Sequence, residues 1–502
     1  MRVPSCCRRP PLLLSVATTI ALAAPAAAAE ATTAGARALV ATFETYLGST
    51  APGEAPIVTA TPAGEAYAVE IDIDRIARPL RGFGLDLRAG HLKMRLEPAG
   101  DGTWRQSVSA LGPIAVAFQG QTTQIRFDDL AGEGVFDPRI AAFTRHHTTV
   151  GGVVSTTARP ESDGEPAVDL EKKESGLVVD GTAAASAVAG TDVDLRLTTV
   201  QTVQTIHVSG KSGDGLPEMT FSVGFDRTAL GANFTGLRTV PMRDLWAHLV
   251  AHHTEDDFRT GHAALVARVR DALPIFDRVH YGLDAAALSI ETPFGFGGVK
   301  TVEIGVDLAG VVRDGRFRCT THLTGLEAHS MLLPNWIGRL LPAEIALSVA
   351  GGGYDLATPA AALLDTADLA AAEPLSDEDG RKIGAMLLPT GRMEIDLSGN
   401  RIASPLYEAT LDGRLTVAEA GAVGTLTVRA KGLDAVEKLL ADPKTGAEGA
   451  AAHDGLVAMI ALADRGPDGL AWRIDVDGDR VMVNGRPMTP EAPAAPKKQP
   501  TP

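Results

Sequence analysis

Apolar and charged residues alternate one for one in run after run of this chain. In 66–74, Val69, Ile71 and Ile73 take one parity and Glu70, Asp72 and Asp74 the other. In 92–97, Leu92, Met94 and Leu96 alternate with Lys93, Arg95 and Glu97. Met393, Ile395 and Leu397 enclose Glu394 and Asp396 in the same way. A period of two sends the two classes of side chain to opposite faces of an extended strand. A chain written this way predicts antiparallel sheet with one dry and one wet face.

Further strands are predicted at 114–118, 125–127, 191–198, 205–209, 220–225, 287–292, 302–309, 316–323, 345–349, 411–417 and 424–430. Asp101-Gly102 before Trp104, and Asp477-Gly478 inside 472–483, are hairpin turn signals. The charged, proline-bearing stretch 159–176 reads as an exposed loop or a boundary. Helical spacing is rarer. It occurs at 30–47, through Leu39, Val40, Phe43 and Leu47. Helices are also predicted at 242–253 after Pro241, at 256–273 stopped by Pro274, at 359–372, at 433–440 and at 454–463. Another, at 376–388, opens on Ser376 and Asp379 as a capping pair.

The fold class predicted is therefore α+β, mostly antiparallel β-sheet with interspersed helices. It takes the form of two similar sheet-and-helix units or of one extended curved sheet. Phe234-Thr235-Gly236-Leu237, followed by Pro241 and Trp246, is echoed by Leu323-Thr324-Gly325-Leu326, followed by Pro334 and Trp336. That echo is either a trace of internal duplication or coincidence. The boundaries read as a leader at 1–29, an N-terminal β-rich unit with closing helices at 30–273, a C-terminal β-rich unit at 274–488, and a proline-rich disordered tail at 489–502.

The leader fixes the expected compartment. Arg2, Arg8 and Arg9 precede an apolar run from Leu12 to Leu22, and Ala27-Ala28-Ala29 offers a small-residue cleavage site. That order is the pattern of a secretory signal peptide, cleaved near Ala29. A spanning helix needs about 20 apolar residues, more than this run holds. Cys6 and Cys7 precede the apolar run, so neither is placed for lipidation after it. The composition fits a GC-rich bacterial genome, and the compartment expected is the periplasm. Past the leader only Cys319 remains; one thiol makes no internal disulfide, and its place in the strand-like alternation of Arg316-Phe317-Arg318-Cys319-Thr320 predicts it buried as an apolar group. The net charge of −16 falls to −19 once the three leader arginines are gone. Such an acidic chain lacks the basic footprint that nucleic acid requires.

No G-x-S-x-G elbow, Walker loop, dinucleotide fingerprint or paired CxxC occurs. The chain is accordingly read as not an enzyme, with no cofactor. The sharpest cluster is His248 and His252, four apart on a predicted helix, with His253, Asp256, Asp257 and His262 close by. Imidazole and carboxylate groups are zinc ligands. However, Leu249 stands where a zinc-protease helix carries its glutamate, and the spacing sets no third ligand. The surface reading, a polar helix end, is preferred. His146 and His147 point to opposite faces of a strand. Asp475, Asp477 and Asp479 begin like a calcium loop, but Arg480 and Arg486 occupy the positions of its glycine and final glutamate.

Three apolar stretches around prolines carry the ligand-binding expectation. They are Met331 to Ile337, Arg339 to Pro342 and Ala385 to Pro389. Leu332, Leu333, Trp336, Ile337, Met386 and Leu387 are the candidates to line the lips of an apolar groove. The competing reading has them plug the end of a sheet and complete the core.

The handovers at Pro241 and Pro334, and the Trp472 hairpin ending Val483-Asn484-Gly485-Arg486-Pro487-Met488, resemble those of exported bacterial envelope proteins that carry a domain of unknown function. More remotely, the pattern is similar to AsmA-like and lipopolysaccharide-transport proteins. That resemblance implies long curved sheets whose dry face holds acyl chains. Such proteins are usually anchored, whereas this leader reads as cleaved, and no catalytic residue carries over. The function expected is non-enzymatic binding of a lipid or other amphiphile in the periplasm. The alternatives are an envelope assembly or scaffold protein with a self-closed core and a protein partner, and a metal-dependent hydrolase built on the histidines.

Overall fold

The computed structural model describes residues 31–50, 53–78, 81, 84–161, 166–209, 218–252, 260–367 and 375–488. The leader at 1–29 and the tail at 489–502 lie outside them. Strands make up 54 % of the structure, so antiparallel sheet and not helix sets the architecture. Nine α-helices are interspersed among the described residues. None of these is long and apolar enough to cross a membrane.

The chain forms two compact units. One runs to Pro293 and takes in Asp307–Arg313 and Leu356–Gly384. The other holds Phe294–Val306, Asp314–Asp355 and the chain from Ala385 onward.

The first unit begins with helix Thr33–Leu47. Thr32 caps it, its hydroxyl accepting the Gly35 N–H at 3.0 Å. Ala36, Leu39, Phe43 and Tyr46 fall on one face at helical spacing. They pack on the apolar parity of hairpin Val58–Ala63 and Ala66–Asp72 and of strand His91–Pro98: Val58, Val69, Ile71, Leu92, Met94 and Leu96. Trp104 and Phe136 complete this core. On the opposite face Glu70 pairs with His91 and Lys93. The strand ends at Asp72, two residues before the alternation does. The Asp72 carboxylate accepts the Arg75 N–H and starts a short helix, Ile73–Ile76. Asp74 accepts from the Ala89 and Gly90 N–H groups. Local capping by aspartate outcompetes the ladder here.

The sheet continues through Trp104–Leu111, Ala131–Asp137 and Ala142–Arg159 to Ala167–Ala185. That last strand corrects the reading of 159–176 as an exposed loop or a boundary from Ala167 onward; 162–165 lie outside the described residues. The charges misled. Charges fall on both parities, Asp169, Glu171 and Lys173 on one and Lys172 and Glu174 on the other beside Val168 and Leu170, but cross-strand partners on both sides hold the segment in the ladder. From Ala167–Ala185 the sheet widens through Thr191–Thr199, Gln201–Ser209, Met219–Phe225, Arg227–Leu237 and Arg278–Thr292. Several strands are longer than predicted, notably Arg278–Thr292, Gly295–Ala309 and Gly315–Ser330. Glycine, alanine and threonine interrupt the alternation there, and pairing extends past the point where the pattern stops being readable.

The second unit is a sheet from hairpin Gly315–Ser330 and Glu344–Tyr354 through Arg392–Asp396 and Asn400–Ala403 to Glu408–Ala418, Gly421–Lys431, Gly469–Asp477 and Arg480–Val483. Helices Leu433–Leu440 and Gly446–Leu462 close one end of it. There Ala430, Leu470, Trp472 and Val483 are buried, and the Trp472 indole N–H donates to the Met459 carbonyl at 2.9 Å. Helix Asp377–Ala385 opens on the expected capping pair, with the Asp379 N–H on the Ser376 hydroxyl at 3.1 Å. Gly236 and Gly325, the matching glycines of the two echoed segments, both adopt left-handed φ, +66° and +62°.

Phe43 is almost fully enclosed, and its removal leaves a cavity under the first helix. Phe43→Ala is expected to lower unfolding free energy by about 3–5 kcal/mol. Chemical denaturation followed by circular dichroism measures it.

Candidate ligand-binding face

Residues directly opposite each other in a ladder share a face, so register reads out what each face presents. In the second unit one row runs Leu323, Ile345, Ile402, Ala409, Ala430, Leu470 across six strands. A second runs Phe317, Gly351, Ile395, Leu415, Gly424, Val476, Val481. Neither contains a polar side chain. The reverse face carries Arg318, Asp396, Arg414, Thr425 and Asp475 in one row. Its charges pair along the surface: Arg414 with Asp396, Arg473 with Asp475, and Arg401 with both Glu344 and Glu408.

The apolar face is covered unevenly. Leu470 and Trp472 are buried beneath the helices, while Ile345, Ile395, Leu415, Leu426 and Val428 are half-buried. Leu347, on the same face, is 44 % exposed. Cys319 sits among them and is exposed, not buried as its strand position predicted. Its neighbours are apolar; what is missing is a layer above it.

The first unit repeats the arrangement. Apolar rows run Val179, Leu197, Leu230, Leu283 and Ala183, Val193, Phe234, Val279. The reverse face presents Arg145, Thr182, Asp194, Asn233 and His280 in one row. Leu197, Leu230, Leu283 and Phe234 are again half-buried. His146 lies on this apolar face, opposite Gly181, against the Phe143 ring at 5.5 Å, with Nε2 3.0 Å from the Thr148 hydroxyl. Burial holds its pKa below the ordinary value, helped by His147. His147 turns to the other face, Nδ1 2.7 Å from Asp180, as strand geometry predicted.

The six expected groove residues fall in three places. Leu332 and Leu333 are exposed just beyond strand Gly315–Ser330. Met386 and Leu387 are exposed beside Asp355, whose N–H donates to the Leu387 carbonyl. Gly315 pairs with Tyr354 and Thr324 with Glu344, so the two dipeptides lie at opposite ends of that strand. At about 3.3 Å per residue they are some ~30 Å or more apart. Trp336 packs against Val436, Leu440 and Leu456, and half-buried Ile337 shares its helix, Asn335–Leu340. The residues that line the open face, such as Leu347, Leu415 and Leu426, were visible only as strand positions.

The histidine group is partly described. The His248 and His252 rings stand 4.3 Å apart, and burial lowers the His248 pKa, with His252 adding to it. His252 Nδ1 is 3.0 Å from the His248 carbonyl, which commits that nitrogen as a donor. His262 begins helix His262–Ala272; His253, Asp256 and Asp257 lie outside the described residues. Among the described residues no group of three or more His, Cys, Asp or Glu side chains is placed to hold a metal ion. Asp475 binds the Thr425 hydroxyl and Arg473, and Gly478 turns the hairpin at φ +59°.

Comparison of the chain with protein-family models, with curated proteins and with solved structures finds no match.

Two measurements check the face. The His146 ring is expected to titrate below 6.5 by NMR, because folding favours its neutral form. Its contribution to stability is then complete above 6.5 and lost as pH falls through the folded value. Cys319 is expected to react with a small maleimide in the native protein, read by peptide mass; protection until denaturation contradicts an open face.

Proposed function

We propose that this protein binds a lipid or similar amphiphile, without catalysis, along an apolar sheet face that its own helices leave half-open. The observation that carries the reading is the pair of apolar rows that cross six and seven strands of the second unit, with Ile345, Ile395 and Leu415 only half-buried in them and Leu347 and Cys319 exposed on the same face. A soluble chain gains nothing from holding such rows half-covered unless something else completes the cover. The signal-peptide pattern supports a periplasmic site of action.

The energetics select the ligand. Each buried methylene contributes about 0.8 kcal/mol, so ten give about 8 kcal/mol. Association costs an estimated 4–15 kcal/mol. One short chain therefore binds poorly, and the ligand class favoured has two or more long acyl chains. The paired charges lie on the reverse face, which suits a site that selects by length and apolarity.

The test is the full chain expressed through its own leader and purified without detergent. Native mass spectrometry and solvent extraction should find lipid near unit stoichiometry, absent from a control exported protein. Cys319→Glu combined with Leu347→Glu places two charges on the open part of the face, at exposed positions that folding tolerates. Bound lipid is expected to fall about tenfold or more. A clean apo mass for the wild-type chain overturns the reading and favours a scaffold that binds a protein partner.

A further inference from the structure

One ion pair of the first unit breaks the division of charge between the two faces. Lys172 Nζ stands 2.8 Å from the Glu174 carboxylate, and the two side chains are only 30 % and 21 % exposed. The alternate pair on the same strand, Lys173 with Glu171, points to the reverse face and is 62 % and 40 % exposed. Register sets Lys172 in a row with Ile125, Ser155, Gln204 and Val223. Glu174 lies in the next row, with Phe127, Val153, Thr202 and Phe225. None of those partners is charged. On one side a third row holds Leu170, Ile206 and Phe221. On the other, Val153 packs with Leu177, Val179 and Leu197, which continue the apolar face already described. The pair is an island of charge between apolar rows.

Neither stability nor register calls for it. Both members of a half-buried pair lose hydration, and well-packed apolar side chains of similar size serve stability as well or better. On the reverse face of the second unit, Arg414 with Asp396 and Arg401 with Glu344 each join neighbouring strands. Lys172 and Glu174 belong to one strand, Ala167–Ala185, so their bond ties no strand to the next. What the pair does is present a cation and an anion side by side to whatever lies on this face. By the same parity Arg159, opposite Val168, stands on the Lys172 side of the pair. A phosphate is met by a cation and an ammonium by a carboxylate, and such bonds are the strong ones where water is scarce.

We propose that Lys172 and Glu174 recognise the headgroup of a zwitterionic amphiphile, Lys172 meeting its phosphate and Glu174 its ammonium, with the acyl chains laid along the flanking apolar rows. The proposal rests on the lipid-binding reading and adds selection by headgroup to selection by length. A headgroup with phosphate and no ammonium sets its charge beside the Glu174 carboxylate with nothing to offset it, so the same pair that accepts a zwitterion discriminates against an anion.

The test incubates the full chain with vesicles of equal parts phosphatidylethanolamine and phosphatidylglycerol of the same acyl chains. The protein is then repurified and its lipid extracted and sorted by headgroup. The wild-type chain is expected to hold phosphatidylethanolamine over phosphatidylglycerol by about tenfold. Lys172→Met combined with Glu174→Leu replaces the pair by apolar groups of similar size; its melting temperature is expected to be no lower, and its headgroup ratio falls to about one. Glu174→Gln leaves the cation without its carboxylate, and its preference is expected to turn toward phosphatidylglycerol. Lipid without headgroup preference in the wild type, or an unchanged ratio in both variants, overturns this proposal and leaves the lipid-binding reading standing. A wild-type chain that takes up no lipid overturns both.

Discussion

Everything in this structure follows from a sheet whose apolar face is wider than the helices laid against it. A strand of period two commits half its side chains to one surface, and that surface has to leave water. In the first unit, helix Thr33–Leu47 does this for the opening strands, where Leu39 and Phe43 meet Ile71 and Leu96. In the second, Leu433–Leu440 and Gly446–Leu462 do it around Trp472. Away from those helices the same parity continues, through Leu415 and Ile345 or through Leu230 and Phe234, at half burial. The rows do not turn polar where the helices stop, and the proposed binding rests on that mismatch.

The reverse face has the complementary task. Its ion pairs are mostly exposed, and an exposed pair contributes little to stability, about 0–1 kcal/mol. Their value lies in register. Arg401 spans Glu344 on one neighbouring strand and Glu408 on the other, and a one-residue slip of its own strand would send Arg401 to the apolar face and break both pairs. Long strands such as Ala142–Arg159 and Ala167–Ala185 need that specification, because their glycines and threonines set register weakly.

Much of the fold was legible where alternation was strict. The Trp472 hairpin, the Ser376 cap, the helix at 433–440 and the division of His146 from His147 all follow from local rules that tertiary packing left intact. The errors have equally local causes. Asp72 was read as a wet-face residue, but its carboxylate caps the next helix. The charges of 159–176 point to an exposed loop or a boundary, but pairing with a strand on each side holds 168–175 in the ladder. Cys319 is predicted buried because its segment alternates like a strand and a lone cysteine packs as an apolar group, and it is exposed because no helix covers that part of the face.

The sequence by itself determined the class of structure and the two-faced character of its strands, since parity is a property of the chain and needs no partner to be read. It also carried the acidic balance that leaves no basic footprint. Tertiary structure alone decided which apolar positions share a row and where helical cover ends. It set Leu332 and Met386 at opposite ends of a strand, and brought Phe296 against His329. Those are relations between residues distant in the chain. Pairing register and the reach of a packed helix create them, and no local pattern encodes either.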